Sequence, residues 1–310
     1  MILCRYIAQR LVLLALFGLV AQATDAATFA NFSAARHNRF LADGSLNPDF
    51  WLDHSLLTGV AVSRAVLVTP QHYITATHTA TIDPTFVAAD GTRHTYTASS
   101  STVLQTILQN DFTKDDGTFL PAGSLHFSDL KLVRLSAPIS PSDGITPMAV
   151  LGGGYYDMLG RPMILQGQGS QFGSDTIDFT QTEELDTGAI SESLIYRWDH
   201  PLGGGGPDEL TLVGGDSGEG AFIEIGGQYV LTGTNMGIGT DDATGFKYSF
   251  NTFIMPYLDE IETSIAADGY SLTVVAVPEP SLLLSAFFIM STLWVGRRTR
   301  RFRWHEPTMR

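Results

Sequence analysis

The chain has 310 residues, 18 of them basic and 32 acidic, for a formal net charge of −14 at pH 7. That balance excludes a nucleic-acid binder, which needs clustered Lys and Arg to displace counterions. The single cysteine excludes a disulfide framework and a cysteine-type metal centre, so a core of ordinary apolar residues must hold the fold.

Both ends read as processing segments. Arg5 and Arg10 precede an apolar run, Leu11 to Val20, and Ala21-Gln22-Ala23 supplies the small-x-small site that signal peptidase needs. Thr24-Asp25-Ala26 is a second such site. The run is about half of the ~20 residues that span a bilayer. Residues 1–23 are therefore expected to be a signal peptide carrying the only cysteine, Cys4, and residues 24–54 an N-terminal extension.

From there the sequence reads as short strands between turns. Candidates are 59–62, 65–68, 73–77, 92–96, 130–135, 163–168, 221–225, 229–231 and 247–250. Thr69-Pro70, Asp90-Gly91, Asp116-Gly117 and Gly226-Gly227 are the turn signals between them. Frequent short strands in a chain with 31 glycines predict an all-β sandwich or barrel rather than alternating β/α. A Pro/Ser/Gly stretch at 137–144 is suited to joining two halves. The Gly203-Gly204-Gly205-Gly206 run lacks the Lys and strand–helix frame of a phosphate loop and reads as a surface loop. One helix is predicted near the end, from Ile254, Tyr257, Leu258, Ile261 and Ile265 at helical spacing. Asn251 or Thr252 is its expected cap, Pro256 falls in the first turn and Gly269 stops it.

The last 35 residues are a linker (268–281), an apolar stretch (282–296) and a basic block (297–310). Pro278-Glu279-Pro280, apolar run and arginines in that order resemble the PEP-CTERM sorting signal of Gram-negative bacteria. The resemblance implies an exosortase-type partner that removes the helix and the basic end. It also implies transient inner-membrane anchoring before release to the envelope or the exterior. The two end segments hold eight of the basic residues and two of the acids. Positions 25–276 therefore carry ten basic against thirty acidic residues, a net charge of −20.

Three segments carry chemistry. Ile74-Thr75-Ala76-Thr77-His78 ends a strand-like run on an imidazole, and Asp129 opens another, Leu130-Lys131-Leu132-Val133-Arg134-Leu135. Gly215-Asp216-Ser217-Gly218 sets a hydroxyl among glycines, where backbone N–H groups can reach a reacting carbonyl. Together they supply base, orienting carboxylate and nucleophile in the order His…Asp…Ser. An α/β-hydrolase needs its His after the Ser, and the only later one, His305, lies beyond the basic block. His72, six residues before His78, is the one competing imidazole nearby.

These three blocks, 51 and 88 residues apart, are similar to the TAAH, DIALLRL and GDSG blocks of the chymotrypsin/trypsin-like serine endopeptidases. The resemblance covers residues 55–267. It implies two packed antiparallel β-barrels (about 55–140 and 145–250), a C-terminal helix, and an active site in the cleft between the barrels. It makes His78, Asp129 and Ser217 catalytic, and the N–H groups of Gly215 and Ser217 an oxyanion hole. Asp216 becomes the buried carboxylate that supports the oxyanion loop. Thr211, six residues before Ser217, falls at the floor of the primary pocket, and Asn235, Met236 and Gly237 form a wall. An uncharged floor argues for cleavage after uncharged residues. No cofactor or metal is implied, and the partner is a protein or peptide substrate.

The chain departs from that pattern in places. Thr79 and Val213 stand where cysteines are usual, and Glu219-Gly220 where Gly-Pro is common. No Ile-Val-Gly-Gly activation site follows a basic residue, and Arg161 is considered as an internal partner for Asp216. The altered Glu219 loop keeps a second reading open, a catalytically inactive member serving as a surface-binding or matrix module.

Overall fold

In chain order the strands of this computed structural model begin with β1 (Thr28–Phe29), β2 (Val66–Thr69), β3 (His72–Ala76), β4 (Thr85–Val87), β5 (Arg93–Thr95) and β6 (Ala98–Ile107). There follow β7 (Phe112–Thr113), β8 (Phe119–Leu120), β9 (Leu125–Leu135), β10 (Ala149–Gly152), β11 (Pro162–Gly167) and β12 (Gln171–Thr176). The last six used here are β13 (Phe179–Glu184), β14 (Ile190–Arg197), β15 (Leu210–Thr211), β16 (Gly220–Ile225), β17 (Gln228–Thr240) and β18 (Lys247–Phe253). A four-residue helix, α1 (Ala34–His37), follows β1, and α2 (Leu258–Ala266) closes the series. The structure describes residues 27–153, 158–199, 206–241 and 243–277. The expected signal peptide, Pro-Glu-Pro motif, apolar stretch and basic block lie outside them, as do Gly203, Gly204 and Gly205. Among the described residues no helix is long and apolar enough to cross a membrane. One unit ends at Val275 and a second begins at Ala276.

The fold is all-β with two β lobes and one C-terminal helix. In the first lobe a curled antiparallel sheet runs β2-β3-β9-β6, with β4 and β5 as a separate hairpin. Two register shifts where β6 meets β9 add the local twist that bends the sheet. The second lobe runs β12-β11-β16-β17-β18-β14-β13, antiparallel throughout, with β10 lying parallel to β17. The residues before position 55 belong to the same unit. β1 pairs with β15, and Arg36 and His37 both bond the Asp208 carboxylate.

Alternation along β3 and β9 divides the core in two. Tyr73 and Val133, opposite each other, face a cluster with Leu67, Phe86 and Leu135 inside the first lobe. Ile74 and Leu132, the next pair, face a larger cluster shared with Ile164, Phe222 and Leu231 of the second lobe. Ile261 and Ile265 of α2, spaced i and i+4, complete that shared cluster and close it from the C-terminal side. At about 1.5–3 kcal/mol per fully buried apolar side chain, this junction is a principal source of cohesion between the lobes.

Two expectations give way. Residues 59–62 form no strand beyond an isolated bridge of Val60 to Val66; the fully buried Arg39 guanidinium takes the Val60 carbonyl (2.8 Å) and that of Leu57 just before the segment (3.0 Å). Burial beside Arg93 lowers the Arg39 pKa to about 10. Asn251 and Thr252 do not cap the helix, because β18 continues through Phe253 and the Asn251 amide turns inward to Asn235 Oδ1 (2.6 Å). A 3₁₀ turn at Met255–Tyr257, holding Pro256, leads into α2 instead, and Gly269 follows it at φ +82°.

Candidate active site

Register brings the imidazole and the carboxylate together. β3 and β9 pair Ala76 with Leu130, so the next step sets Thr77 against Asp129, and the Thr77 N–H donates to the Asp129 carbonyl at 3.2 Å. His78 follows at once. Its Nδ1 lies 2.8 and 2.9 Å from the two Asp129 oxygens, and its backbone N–H donates to Oδ1 at 3.0 Å. The carboxylate is fully buried, whereas the ring keeps 23 % of its surface, so the Nε2 side is the one left for chemistry. The Asp129 N–H crosses to the second lobe, donating to Ser191 Oγ at 2.8 Å. Lys131, two residues on, gives its ammonium to the Thr79 carbonyl at 2.6 Å, and burial lowers its pKa.

Ser217 sits in the loop between β15 and β16, half-buried. The following residue fixes where that loop lies. Gly218 has φ +84°, and a Cβ there would stand 2.6 Å from Thr75 Oγ1 and 3.3 Å from the Ala76 nitrogen. The Ser217 loop is thus packed directly on β3, two residues before His78. No Ser217–His78 hydrogen bond forms among the described residues, and in ligand-free sites such bonds are often long until substrate closes them.

The loop's backbone donors divide into two sets. The N–H groups of Asp216, Gly218 and Glu219 meet the carbonyls of Val213, Asn235 and Asp216. Among the described residues, those of Gly215 and Ser217 meet no acceptor. Asp216 is fully buried; its Oδ1 accepts from the Gln168 N–H (2.7 Å) and its Oδ2 from the Val213 N–H (2.8 Å). Burial raises its pKa, opposed by those two bonds and by the Arg64 charge. Arg161 is not that cation: it lines a cavity with Trp51 and Glu224, and the loop at 61–65 supplies Arg64 instead. Glu219 is buried as well, its carboxyl pushed well above the usual range by burial and by Asp216.

A cavity of about 70 Å³ opens beside Ser217, lined by Leu212, Val213, Gly214, Asn235, Gly237 and Ile238. Thr211 lies deeper, its hydroxyl 3.0 Å from Ser249 Oγ, on a neighbouring cavity of about 340 Å³ that also meets Thr240 and Lys247. Asn235 shapes the wall by its backbone, because its Nδ2 is spent on the carbonyls of Gln166 (2.7 Å) and Asp216 (3.2 Å). Met236 turns to the other side, where it and His78 border a cleft of about 460 Å³ rimmed by Glu183, Glu184 and Asp186. Burial, with Asp115 nearby, raises the Glu183 pKa to about 7. His72 is structural: its Nδ1 meets Thr69 Oγ1 (2.8 Å) and its Nε2 meets Asp268 (3.0 Å). Arg64, Gln168 and the Glu183–Asp186 rim are additions the sequence did not flag. Glu219 it flagged only as a departure.

Among the described residues no group of side chains could hold a metal ion. No family model and no curated protein matches the sequence. Similar solved structures include the NS6 protease of murine norovirus 1, 15% identical over 66% of this chain and 95% of that one, at a TM-score of 0.37. Another is an inactive mutant of the murine norovirus NS6 protease extended into NS7, 14% identical over 65% of this chain and 98% of that one, also at 0.37. Likeness at that distance carries no chemistry across, and the site has to be read from its own geometry.

Proposed function

We propose that this protein is a serine endopeptidase that hydrolyses peptide bonds through an acyl-enzyme. The observation that supports it most is the His78 ring held on both Asp129 oxygens while the Ser217 loop packs on β3 just before it. Asp129 keeps the proton on Nδ1, so Nε2 is free to accept. His78 Nε2 takes the Ser217 hydroxyl proton as Oγ bonds to the substrate carbonyl carbon. The carbonyl oxygen becomes an oxyanion, met by the N–H groups of Gly215 and Ser217; one such donor contributes ~3–4 kcal/mol to lowering the barrier. The C–N bond then breaks, and His78 hands its proton to the departing amine. Water, deprotonated by the same nitrogen, bonds to the acyl carbon; the C–Oγ bond breaks, the acid leaves, and His78 returns the proton to Ser217 Oγ.

The Leu212–Gly214 wall and the uncharged Thr211 support cleavage after uncharged side chains. The end segments support export by signal peptidase and sorting by an exosortase-type enzyme, with release to the envelope or exterior. Two observations favour the second reading, a catalytically silent binding module: Glu219 fills the position after Gly218, and no Ser217–His78 hydrogen bond forms among the described residues. Labelling by a fluorophosphonate probe decides between them. Labelling that Ser217→Ala abolishes is the expected result; an inert wild-type protein sinks the peptidase.

A further inference from the structure

Around Ser217, several hydrogen bonds of the loop are made within it or to the second lobe. Gln168 and Val213 hold the Asp216 carboxylate, while Asn235 holds the Asp216 carbonyl and accepts the Gly218 N–H. Two further points, the Gly215 carbonyl and the Glu219 side chain, flank Ser217 two residues before and two after. One residue of the first lobe meets both. The Arg64 backbone N–H donates to Glu219 Oε2 at 2.9 Å, and its guanidinium donates to the Gly215 carbonyl at 3.4 Å.

Arg64 does this from a costly conformation. Its φ is +52°, in the left-handed region where a side chain collides with its own backbone and glycine is the natural occupant. The turn it occupies is closed by the Ala61 N–H on the Ala65 carbonyl at 3.0 Å. An arginine kept where glycine fits better points to a task for the guanidinium. Glu219 is equally out of place: a carboxyl with 1 % of its surface exposed, packed next to a second buried carboxyl, Asp216. Burying such a group costs stability unless a partner is built for it, and the Arg64 N–H is that partner.

We infer that Arg64 and Glu219 form a clamp between the lobes that holds the loop in the form presenting the Gly215 and Ser217 N–H groups to substrate. Both are positioning residues, and their role rests on the hydrolase reading of Ser217. The clamp acts on the donors rather than on the pocket. Its loss should therefore slow the chemical step and leave substrate binding alone.

The test uses the full chain with Arg64→Gly, Arg64→Lys, Glu219→Ala and Glu219→Gln. Three readouts are taken: fluorophosphonate labelling rate, kcat and KM on a peptide, and hydrogen exchange over residues 212–219. Arg64→Gly suits the backbone and is expected to melt no lower than wild type. It should nevertheless lose at least tenfold in labelling rate and kcat, keep KM within twofold, and exchange faster only in that loop. Glu219→Ala should do the same, and Glu219→Gln, which keeps an acceptor for the Arg64 N–H, should restore most of the rate. Arg64→Lys should lie between. Arg64→Gly with wild-type rates and wild-type exchange overturns the clamp, whatever Glu219→Ala does. A wild-type protein that takes no probe, in which the variants still loosen the loop, overturns the peptidase and leaves the clamp standing.

Discussion

His78 binds Asp129 twice, once through its ring Nδ1 at 2.8 and 2.9 Å and once through its own backbone N–H at 3.0 Å. The backbone bond fixes where the residue starts and the ring bonds fix which way it points, so rotation of the imidazole costs several contacts at once. Asp129→Asn separates the two functions. Its amide oxygen still serves the backbone N–H, but its NH₂ faces Nδ1 and forces the proton onto Nε2, where a base cannot use it. The expected loss is ~10⁴-fold in kcat, with the melting temperature within a few degrees of wild type. Steady-state kinetics on a peptide substrate check it, and a variant keeping a tenth of the activity would remove Asp129 from the mechanism.

Gly218 is where the Ser217 loop comes closest to β3. Its φ of +84° is unfavourable for any residue with a Cβ, and that Cβ would lie 2.6 Å from Thr75 Oγ1. Gly218→Ala therefore pays for backbone strain and for pushing the loop off β3, together about 1–3 kcal/mol of stability. Because the loop carries Ser217, the variant should lose more probe labelling than its fall in melting temperature explains at a working temperature well below the transition. Equal labelling by wild type and variant would show that the loop's seat on β3 is unimportant for the nucleophile.

Specificity is expected to follow from what lines the neighbouring cavity at Thr211. Thr211 and Thr240 offer hydroxyls and Lys247 a positive charge, and no carboxylate lines it among the described residues. A substrate arginine or lysine entering there meets the like charge of Lys247. Peptides with an uncharged residue before the scissile bond should be cut with a kcat/KM at least tenfold above their Arg or Lys counterparts. Lys247→Glu should narrow that gap. Wild-type preference for Arg or Lys would move the primary pocket elsewhere.

What the sequence made legible was the part that local chemistry determines. Ile74-Thr75-Ala76 of β3 runs up to His78, and the alternating Leu130, Leu132 and Leu135 of β9 follow Asp129, so strand and side chain stand out together. The helix α2 was visible from Ile261 and Ile265, but its start was not, because Asn251 looks like a cap and is in fact bonded to Asn235 inside the second lobe. β6 was invisible for the opposite reason. Its Ala-Ser-Ser-Ser-Thr start faces solvent, and within the strand only Leu104 and Thr106 are buried, leaving too little alternation to read. Arg64 and Gln168 were illegible in principle. Each reaches the Ser217 loop across about 150 or 50 residues of chain, and nothing near either one announces the contact.

Asp175 gives the fold a pH dependence that can be isolated. The residue is buried with Oδ1 on the Thr176 N–H at 2.7 Å, while Oδ2 has no partner among the described residues. Burial, with Glu209, Asp178 and Asp199 adding repulsion, raises its pKa to about 8. The unfolded chain ionises it near the ordinary value of about 4. Between those two values the folded state binds a proton that the unfolded state has released, so folding stability falls as pH rises through the window and levels off above it. Asp175→Asn keeps the Thr176 bond and cannot ionise. It should match wild type at pH 4 and exceed it at pH 8.5 by at least about 1 kcal/mol, or ~2–4 °C for a domain of this size. Thermal melts of the two proteins at both pH values test this directly: a gap that stays constant with pH would mean Asp175 does not titrate between them.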